Sequence, residues 1–357
     1  MKSEKIRTFI IIGAVIFSVV YIFVGVKPLT KELNLKPEWT SSIKNVTRLS
    51  SEELEQTELI PYKSKNCIGY FTPEGKIVSN IPYWYKSTIS RDYYSIFNEY
   101  TRVQEIYTNK SSKLISIASE GFPFIQENRI FVQSPNGCGL KKYSSDGTKI
   151  FEYDYYCPIT AISSNENATL IGFSDGSVVI VYDDGTYTKP FYPGASEKQV
   201  ILGCDISKDG KRIALLCGHN KMRIVIADVE DLYIKVIYHR FIDEEQYTQS
   251  LVKFSSDDNT VYFNYNGGLG TVNLKKKKAY KMDIPGKIVQ CEFLDSQKMA
   301  FILSRNEDTY TITVVESINH KIAQYSFAAK NSFITVDKDK LYVEKDNDIS
   351  CLTVSRR

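Results

Sequence analysis

The sequence contains few of the residues that build catalytic and metal sites. Among its 357 residues there are three histidines, which lie far apart, and seven cysteines, none of them in a Cys-x-x-Cys pair. Zinc sites usually draw on histidines and cysteines at short, characteristic spacings. Nucleophile-elbow, phosphate-loop, metalloprotease and dinucleotide-binding motifs do not occur. The sequence therefore predicts a protein that is not an enzyme, with no metal site and no cofactor.

Long apolar runs are also scarce, and one stands out. Thr8 to Val26 reads TFIIIGAVIFSVVYIFVGV, nineteen residues without a charge. A helix of this length spans roughly 28 Å, close to the hydrocarbon thickness of a bilayer. A cleaved signal peptide would have a shorter apolar core and a small-residue cleavage site, and neither is present here. We therefore predict a transmembrane helix over residues 8–26, retained as an anchor.

The net charge of +3 is small and belongs to the ends of this segment. The first 28 residues contain four basic residues and one acid, Glu4, which together give the whole net charge of +3, so the rest of the chain is neutral. The basic residues are Lys2, Lys5, Arg7 and Lys27. Basic residues beside an apolar span set its orientation in the membrane. The predicted topology is single-pass, with residues 1–7 cytoplasmic and the C-terminal domain extracytoplasmic, or periplasmic in a bacterium. No nucleic-acid partner is predicted.

The remaining chain divides into a connector and an all-β domain. Residues 27–66 are polar, and Ser50-Ser51-Glu52-Glu53 predicts the start of a short helix. From Cys67 onward, short runs of Ile, Val, Tyr, Phe and Thr alternate with Asp-Gly and Asn-Gly turns, a pattern typical of strands.

The strand runs repeat with a period of about 40–45 residues, which is typical of propeller blades. Predicted third strands end near Asp183, Asp228, Asn273 and Glu316, at spacings of 45, 45 and 43 residues. We predict about seven four-stranded blades over residues 67–357. The last unit lacks a fourth strand, so a stretch within 43–62 is expected to pair with it and cover its edge.

One unit, ITAISSNENATLIGFSDGSVVIVYDDG, carries a resemblance to a known family. It runs from Ile159 to Gly185, and Tyr182-Asp183 stands where WD40 repeats often have Trp-Asp. The domain resembles the WD40-like β-propellers over roughly residues 67–357. No Trp-Asp dipeptide occurs, and Gly218-His219 falls in a predicted turn between second and third strands. The resemblance therefore concerns the fold and says little about a partner.

Two groups of residues are candidate binding sites for another protein. An aromatic group, which packing within a blade would equally explain, could anchor a partner because tyrosine and tryptophan often dominate interface energies. A lysine run could contact acidic groups, although a solvated hairpin tip would look the same. The members of these two groups are Tyr83, Trp84, Tyr85, Tyr93 and Tyr94, and Lys275, Lys276, Lys277 and Lys278.

The predicted function is that of a membrane-anchored extracytoplasmic scaffold. Its partners would be other proteins, in particular membrane or envelope components, and residues 8–26 would hold it in the membrane. The alternative is a ligand sensor or enzyme that uses the central channel. Asp205, Lys253 and Glu292 share one aligned position in their first strands and could converge there.

Overall fold

The computed structural model describes residues 33–194, 199–242, 244–316 and 318–356. Within these ranges the chain forms eight antiparallel sheets and one α-helix, α1 (Ser51–Gln56). None of the described helical segments has the length and apolar character needed to cross a bilayer. The transmembrane helix predicted over residues 8–26 lies outside the described residues.

The sheets follow one another along the chain, and we number them as blades. The first four blades consist of β2 (Ile60–Lys63), β3 (Cys67–Phe71) and β4 (Ile77–Pro82); β5 (Lys86–Ile89), β6 (Tyr93–Phe97), β7 (Gln104–Thr108) and β8 (Lys113–Ile117); β9 (Phe122–Gln126), β10 (Arg129–Gln133), β11 (Gly139–Tyr143) and β12 (Lys149–Asp154); and β13 (Ile159–Ser164), β14 (Ala168–Phe173) and β15 (Val178–Tyr182).

The remaining four blades contain four strands each. They consist of β16 (Ile201–Ile206), β17 (Arg212–Cys217), β18 (Met222–Glu230) and β19 (Tyr233–Ile242); β20 (Val252–Phe254), β21 (Thr260–Tyr265), β22 (Gly268–Asn273) and β23 (Lys278–Asp283); β24 (Lys287–Leu294), β25 (Met299–Asn306), β26 (Thr309–Glu316) and β27 (His320–Ala328); and β28 (Ile334–Asp337), β29 (Lys340–Lys345) and β30 (Asp348–Arg356) with β1 (Leu33–Ser42).

The hydrophobic core shows that the blades form a closed ring. It is divided into eight clusters, and each cluster lies between two consecutive blades. The eighth and first blades share the cluster that contains Phe71, Phe333 and Tyr342. Because a blade has two apolar faces, a stable arrangement must bury both, and the ring does so without an end. The fold is an eight-bladed propeller.

The prediction of about seven blades was wrong. The error lies between residues 60 and 117, where the repeat length leaves space for little more than one unit and the structure contains two. The first blade has only three strands, and it occupies residues 60–82. Its strands begin before Cys67, inside the range predicted to be connector.

The ring closes through a strand from the N-terminal side of the domain. β1 pairs antiparallel with β30 from Leu33 opposite Arg356 to Ser42 opposite Asp348. We expected the closing strand within residues 43–62, and that range was wrong. Part of it instead forms β2, which pairs with β3 in the first blade.

Local sequence signals determine the short helix and the inner hairpins. The Ser50 side chain accepts a hydrogen bond from the Glu53 backbone, and the Glu53 carboxylate accepts one from the Ser50 backbone. This capping box confirms the predicted helix start. In the hairpin after β16, the Ser207 hydroxyl donates to Asp209, and Gly210 adopts a φ of +73° that favours glycine.

The two blades with three strands are covered at their outer edges by irregular segments. In the fourth blade, the backbones of Val178 and Phe191 exchange two hydrogen bonds of 2.9 Å, and Thr188 donates to Ile180. In the first blade, the Thr47 amide donates to the Ile77 carbonyl, and the Asn80 side chain donates to the Ile43 carbonyl. These contacts reduce the exposure of strand edges that could otherwise pair with another chain.

Candidate functional site

A ring of polar contacts joins consecutive blades near the central channel. At every junction between blades, a side chain of one blade bonds to the next. The contacts are Lys63 Nζ to the Ser87 carbonyl, the Ile125 amide to Thr88 Oγ1, Arg129 Nη2 to the Ser164 carbonyl, the Ile206 amide to Ser163 Oγ, the Phe254 amide to Asp205 Oδ2, Lys253 Nζ to the Cys291 carbonyl, the Ile334 amide to Gln290 Oε1, and Asn331 Nδ2 to Ser64 Oγ.

Asp205 shows what this ring does with a charged side chain. One carboxylate oxygen accepts the Ser163 hydroxyl from the fourth blade, and the other accepts the Phe254 amide of the sixth at 2.7 Å. Burial raises the pKa of Asp205 to about 6, although both hydrogen bonds act to lower it. The side chain therefore holds three blades together.

Lys253 and Glu292 also lie close together at the channel. Burial acts to lower the pKa of Lys253, but Glu292 and Asp205 outweigh it, and the pKa stays above its ordinary value. Burial raises the pKa of Glu292, with Lys253 opposing the change. Asp205 and Lys253 line one pocket of about 370 Å³, whose lining does not include Glu292. The three predicted residues thus lie near one another and are half-buried, and Asp205 and Lys253 connect neighbouring blades.

The chain topology assigns each loop to one of the two faces of the ring. Neighbouring strands in a blade are antiparallel, so successive loops alternate between the two faces. One face therefore carries the loops that lead into the innermost strands and the loops between second and third strands. We call it the aromatic face, because its loops carry large aromatic side chains that are between 44% and 100% exposed. These residues are Trp84, Tyr85, Tyr100, Tyr156, Tyr192 and Tyr247.

The predicted aromatic group is divided by the structure. Trp84 is fully exposed and Tyr85 is exposed, both in the loop that enters β5. Tyr83 is half-buried, and its hydroxyl donates to the carbonyls of Ser64 and Lys65. Tyr94 is buried and stacks on Tyr107, and Tyr93 is half-buried. Trp84 and Tyr85 are therefore accessible to a partner, whereas Tyr94 is part of the packing between blades.

The four lysines lie on the opposite face from Trp84. Lys275–Lys277 form the exposed turn between β22 and β23, and Lys278 begins β23. Lys277 has a φ of +47°, and the Lys276 amide donates to Asn273 Oδ1 at 2.7 Å. This is the geometry of a hairpin tip whose side chains point into solvent.

A tyrosine cluster on the aromatic face was missed by the sequence analysis. The hydroxyls of Tyr156, Tyr155 and Tyr192 lie 2.8, 3.3 and 3.4 Å from Oδ2 of Asp175. The Tyr155 and Tyr156 rings are 4.2 Å apart, and Tyr155 also packs on Phe173. We call Asp175 and these three tyrosines the tyrosine cluster. The run Tyr153-Asp154-Tyr155-Tyr156 was the signal that could have drawn attention to it.

The cysteines of the chain are not paired with one another. All seven are free thiols, and Cys138 and Cys157, which lie in neighbouring segments of the third blade, are not joined. Burial raises the pKa of both Cys217 and Cys291 to about 12, which keeps these thiols protonated. Among the described residues, no group of three or more His, Cys, Asp or Glu side chains is arranged to hold a metal ion.

Comparison with known proteins agrees with this architecture. The model of a family described as "beta-propeller protein" matches residues 1–356. The chain belongs to this beta-propeller family. The propeller is 24% identical over 355 residues to an uncharacterized protein of Treponema pallidum (strain Nichols), an alignment that covers 97% of this chain and 94% of that protein.

Solved structures share the propeller fold at low sequence identity. BamB from Moraxella catarrhalis is 9% identical with a TM-score of 0.60, and the alignment covers 90% of this chain and all of that one. The computationally designed Ika8 protein is 13% identical with a TM-score of 0.58, with 88% and 98% of the two chains covered. At these identities the likeness concerns the fold alone.

Proposed function

We propose that this propeller is a protein-interaction scaffold of the cell envelope and not an enzyme. The observation that carries the proposal is the concentration of exposed aromatic side chains on one face of a rigid ring. Trp84 is fully exposed in the loop that enters the second blade, and Tyr100 is 81% exposed in a loop within that blade. Water-exposed aromatic rings that become buried on association commonly supply a large share of binding energy.

The arrangement of the channel supports binding over catalysis. Asp205 and Lys253 form bonds to neighbouring blades, which gives these charged side chains a role in holding the ring together. The loops of the aromatic face, in contrast, can vary without disturbing those bonds. A ring of this kind therefore presents several binding loops in fixed relative positions.

For location we propose the extracytoplasmic side of a membrane, with envelope proteins as partners. This part rests on the sequence of residues 1–28, where the apolar run has basic residues on both sides. A protease added to intact spheroplasts should digest the propeller, because the propeller would lie on their outer surface. The same result is expected for sealed vesicles whose outer surface corresponds to the extracytoplasmic side of the membrane. Digestion only from the cytoplasmic side would contradict the proposed location.

The binding role predicts a defined loss on mutation. We expect Trp84→Ala with Tyr85→Ala to reduce recovery of the partner at least about fivefold, since hot-spot aromatics are commonly worth 1–2 kcal/mol or more. The measurement is chemical crosslinking in intact cells of the native host, followed by mass spectrometry. Because both side chains are exposed, the variant should unfold at the same temperature as the wild type.

Tyr233 supplies the matched control. It is 80% exposed, but it lies at the start of the outermost strand β19 and away from the loops of the aromatic face. Tyr233→Ala should leave the crosslinks unchanged. Equal losses in the two variants, or wild-type crosslinks that map only to the lysine turn, would argue against the aromatic face as the binding surface.

A further inference from the structure

The tyrosine cluster has a chemistry that is more specific than general aromatic exposure. Asp175 is half-buried, and its Oδ1 accepts the Ser177 amide at 2.9 Å and the Ser177 hydroxyl at 2.7 Å. Burial acts to raise the pKa of Asp175, but the hydrogen bonds from Ser177 and the tyrosines outweigh it and lower the pKa. The carboxylate is therefore ionised at neutral pH.

The described part of the chain supplies no cation that neutralises that charge. Among the ranges that the structure describes, no lysine or arginine forms an ion pair with Asp175, and its recorded partners are hydroxyls and an amide. Other carboxylates in the chain do have such partners: Asp183 binds Lys142 and Glu58 binds Lys338. A half-buried, unneutralised carboxylate on an exposed face is thus available to a cation from outside.

The hydroxyl groups extend the charge toward solvent. An ionised carboxylate can only accept hydrogen bonds, so a phenol that bonds to Asp175 directs its single hydrogen inward and leaves oxygen lone pairs outward. Tyr156 is 72% exposed and Tyr192 is 48% exposed. The surface they form offers hydrogen-bond acceptors and the electron-rich faces of aromatic rings. Its natural complement is a planar cation that has only donors.

We propose that the tyrosine cluster binds an arginine side chain of the partner protein. A guanidinium has five N–H donors and no acceptor, and it stacks on aromatic rings, whereas an ammonium group lacks the planar surface. The ring of Tyr156 would contact the guanidinium plane, and the phenol oxygens and Asp175 would balance its charge. This inference rests on the proposed function, because it names the group that the aromatic face recognises.

A defined probe tests the recognition without knowledge of the partner. The probe is a fluorescent peptide with four arginines separated by Gly-Ser pairs, and the comparison peptide has citrulline in place of each arginine. Citrulline keeps the planar shape and loses the charge. In fluorescence anisotropy with the whole protein, we expect the arginine peptide to bind at least about tenfold more tightly, as for other charge-assisted contacts. Equal binding of the two peptides would overturn the proposal.

Three substitutions locate the binding site on the protein. Asp175→Asn should weaken arginine-peptide binding about tenfold, since it removes the charge and keeps the size of the side chain. Tyr156→Ala should weaken it as well, whereas Tyr156→Phe, which keeps the ring, should retain most of the affinity. Asp184→Asn is the control, because it makes the same change of net charge at an exposed turn after β15. If Asp175→Asn and Asp184→Asn bind alike, the tyrosine cluster is not the site.

The outcomes separate this inference from the proposed function. If the Trp84 and Tyr85 variant loses its partner in cells while Asp175→Asn keeps it fully, the aromatic face binds a partner and the arginine contact is wrong. If Asp175→Asn loses both the peptide and the cellular crosslinks, both proposals stand. If the peptide behaves as expected but no crosslink reaches the aromatic face, the scaffold role fails and the arginine site remains. Near-ultraviolet circular dichroism of Asp175→Asn and Asp184→Asn should match that of the wild type, because both variants keep every aromatic side chain, and a match shows that the tyrosines keep their packing.

Discussion

Replacing Trp39 by alanine is expected to lower the free energy of unfolding by about 2 kcal/mol, just below the range for fully buried large side chains, because Trp39 is half-buried. Trp39 lies in the closing strand β1, and its ring contacts Phe71 of the first blade and Tyr342 of the eighth. Its indole nitrogen donates to the Pro73 carbonyl at 3.0 Å. One side chain therefore links the closing strand to two blades, and its loss leaves a cavity at the junction that closes the ring.

Gly75 lies directly against the Trp39 ring, and no larger residue fits at position 75. A Cβ atom at Gly75 would lie 2.7 Å from the Trp39 ring, and the φ of +92° there also favours glycine. The indole ring thus occupies the space in which a side chain at position 75 would lie. Urea unfolding followed by far-ultraviolet circular dichroism measures the effect of Trp39→Ala.

The chain supplies its own control, because it has only two tryptophans. Trp84→Ala should change the free energy of unfolding by less than about 0.5 kcal/mol, as for other exposed sites. The two substitutions should therefore have opposite consequences: Trp39→Ala destabilises the ring, and Trp84→Ala reduces partner binding. Equal unfolding midpoints for the two variants would show that Trp39 does not connect the closing strand to its neighbours.

Replacing Glu344 by glutamine is expected to raise the free energy of unfolding at pH 8 by about 2–3 kcal/mol. Glu344 is fully buried on β29; its Oε2 accepts the Asn331 amide group at 2.8 Å, and its Oε1 has no hydrogen-bond partner in the structure. Burial raises its pKa to about 7, although hydrogen bonds from Ser64 and Asn331 oppose the change. Above that pH the folded protein must hold a buried, incompletely paired charge.

The direction of the pH dependence follows from proton binding. In the unfolded chain Glu344 has an ordinary pKa near 4.5, so between that pH and about 7 the folded state binds more protons than the unfolded state. The stabilisation from this group is therefore present below pH 4.5 and is lost as the pH rises to 7. Glu344→Gln should match the wild type near pH 4.5 and exceed it at pH 8.

The prediction is checked by measuring the free energy of unfolding of the wild type and of Glu344→Gln across this pH range and comparing the two at each pH. Asp205 has a raised pKa in the same window, and subtracting the wild-type curve removes its contribution. Glu58→Gln is the control, because Lys338 lowers the pKa of Glu58 and the substitution should bring no gain at pH 8. A wild-type minus Glu344→Gln difference that stays constant with pH would contradict the raised pKa of Glu344.

The repeat pattern predicted most blades but not their number. From Ile159 to Glu316 the predicted third strands coincide with β15, β18, β22 and β26, and each of these strands is mostly buried. The first blade instead has three strands of four to six residues within the 23 residues from Ile60 to Pro82. Dividing the length of the domain by the repeat length gives too few blades when one blade contains only about half the usual number of residues.

The candidate sites depended on information that the sequence does not contain. Trp84 and Tyr94 lie ten residues apart in regions of similar composition, yet one is fully exposed and the other buried. Burial depends on which neighbouring blade covers the residue, and for Tyr94 the cover comes from Tyr70 and Tyr107. Asp175 meets Tyr155 and Tyr192 only because a hairpin turn and two loops arrive at the same face.

Local sequence patterns were sufficient to predict the all-β character of the domain, the repeating four-strand unit and the capped helix after Ser50. These features depend on residues close together in the chain, since strand alternation, turn residues and helix caps act over a few positions. The closure of the ring with eight blades, the role of Leu33–Ser42 as the closing strand and the exposure of particular aromatic residues became known from the folded chain. Those features depend on contacts between residues far apart in the sequence, such as Leu33 with Arg356. The pattern of residues within a short segment does not indicate which distant segment will pair with it.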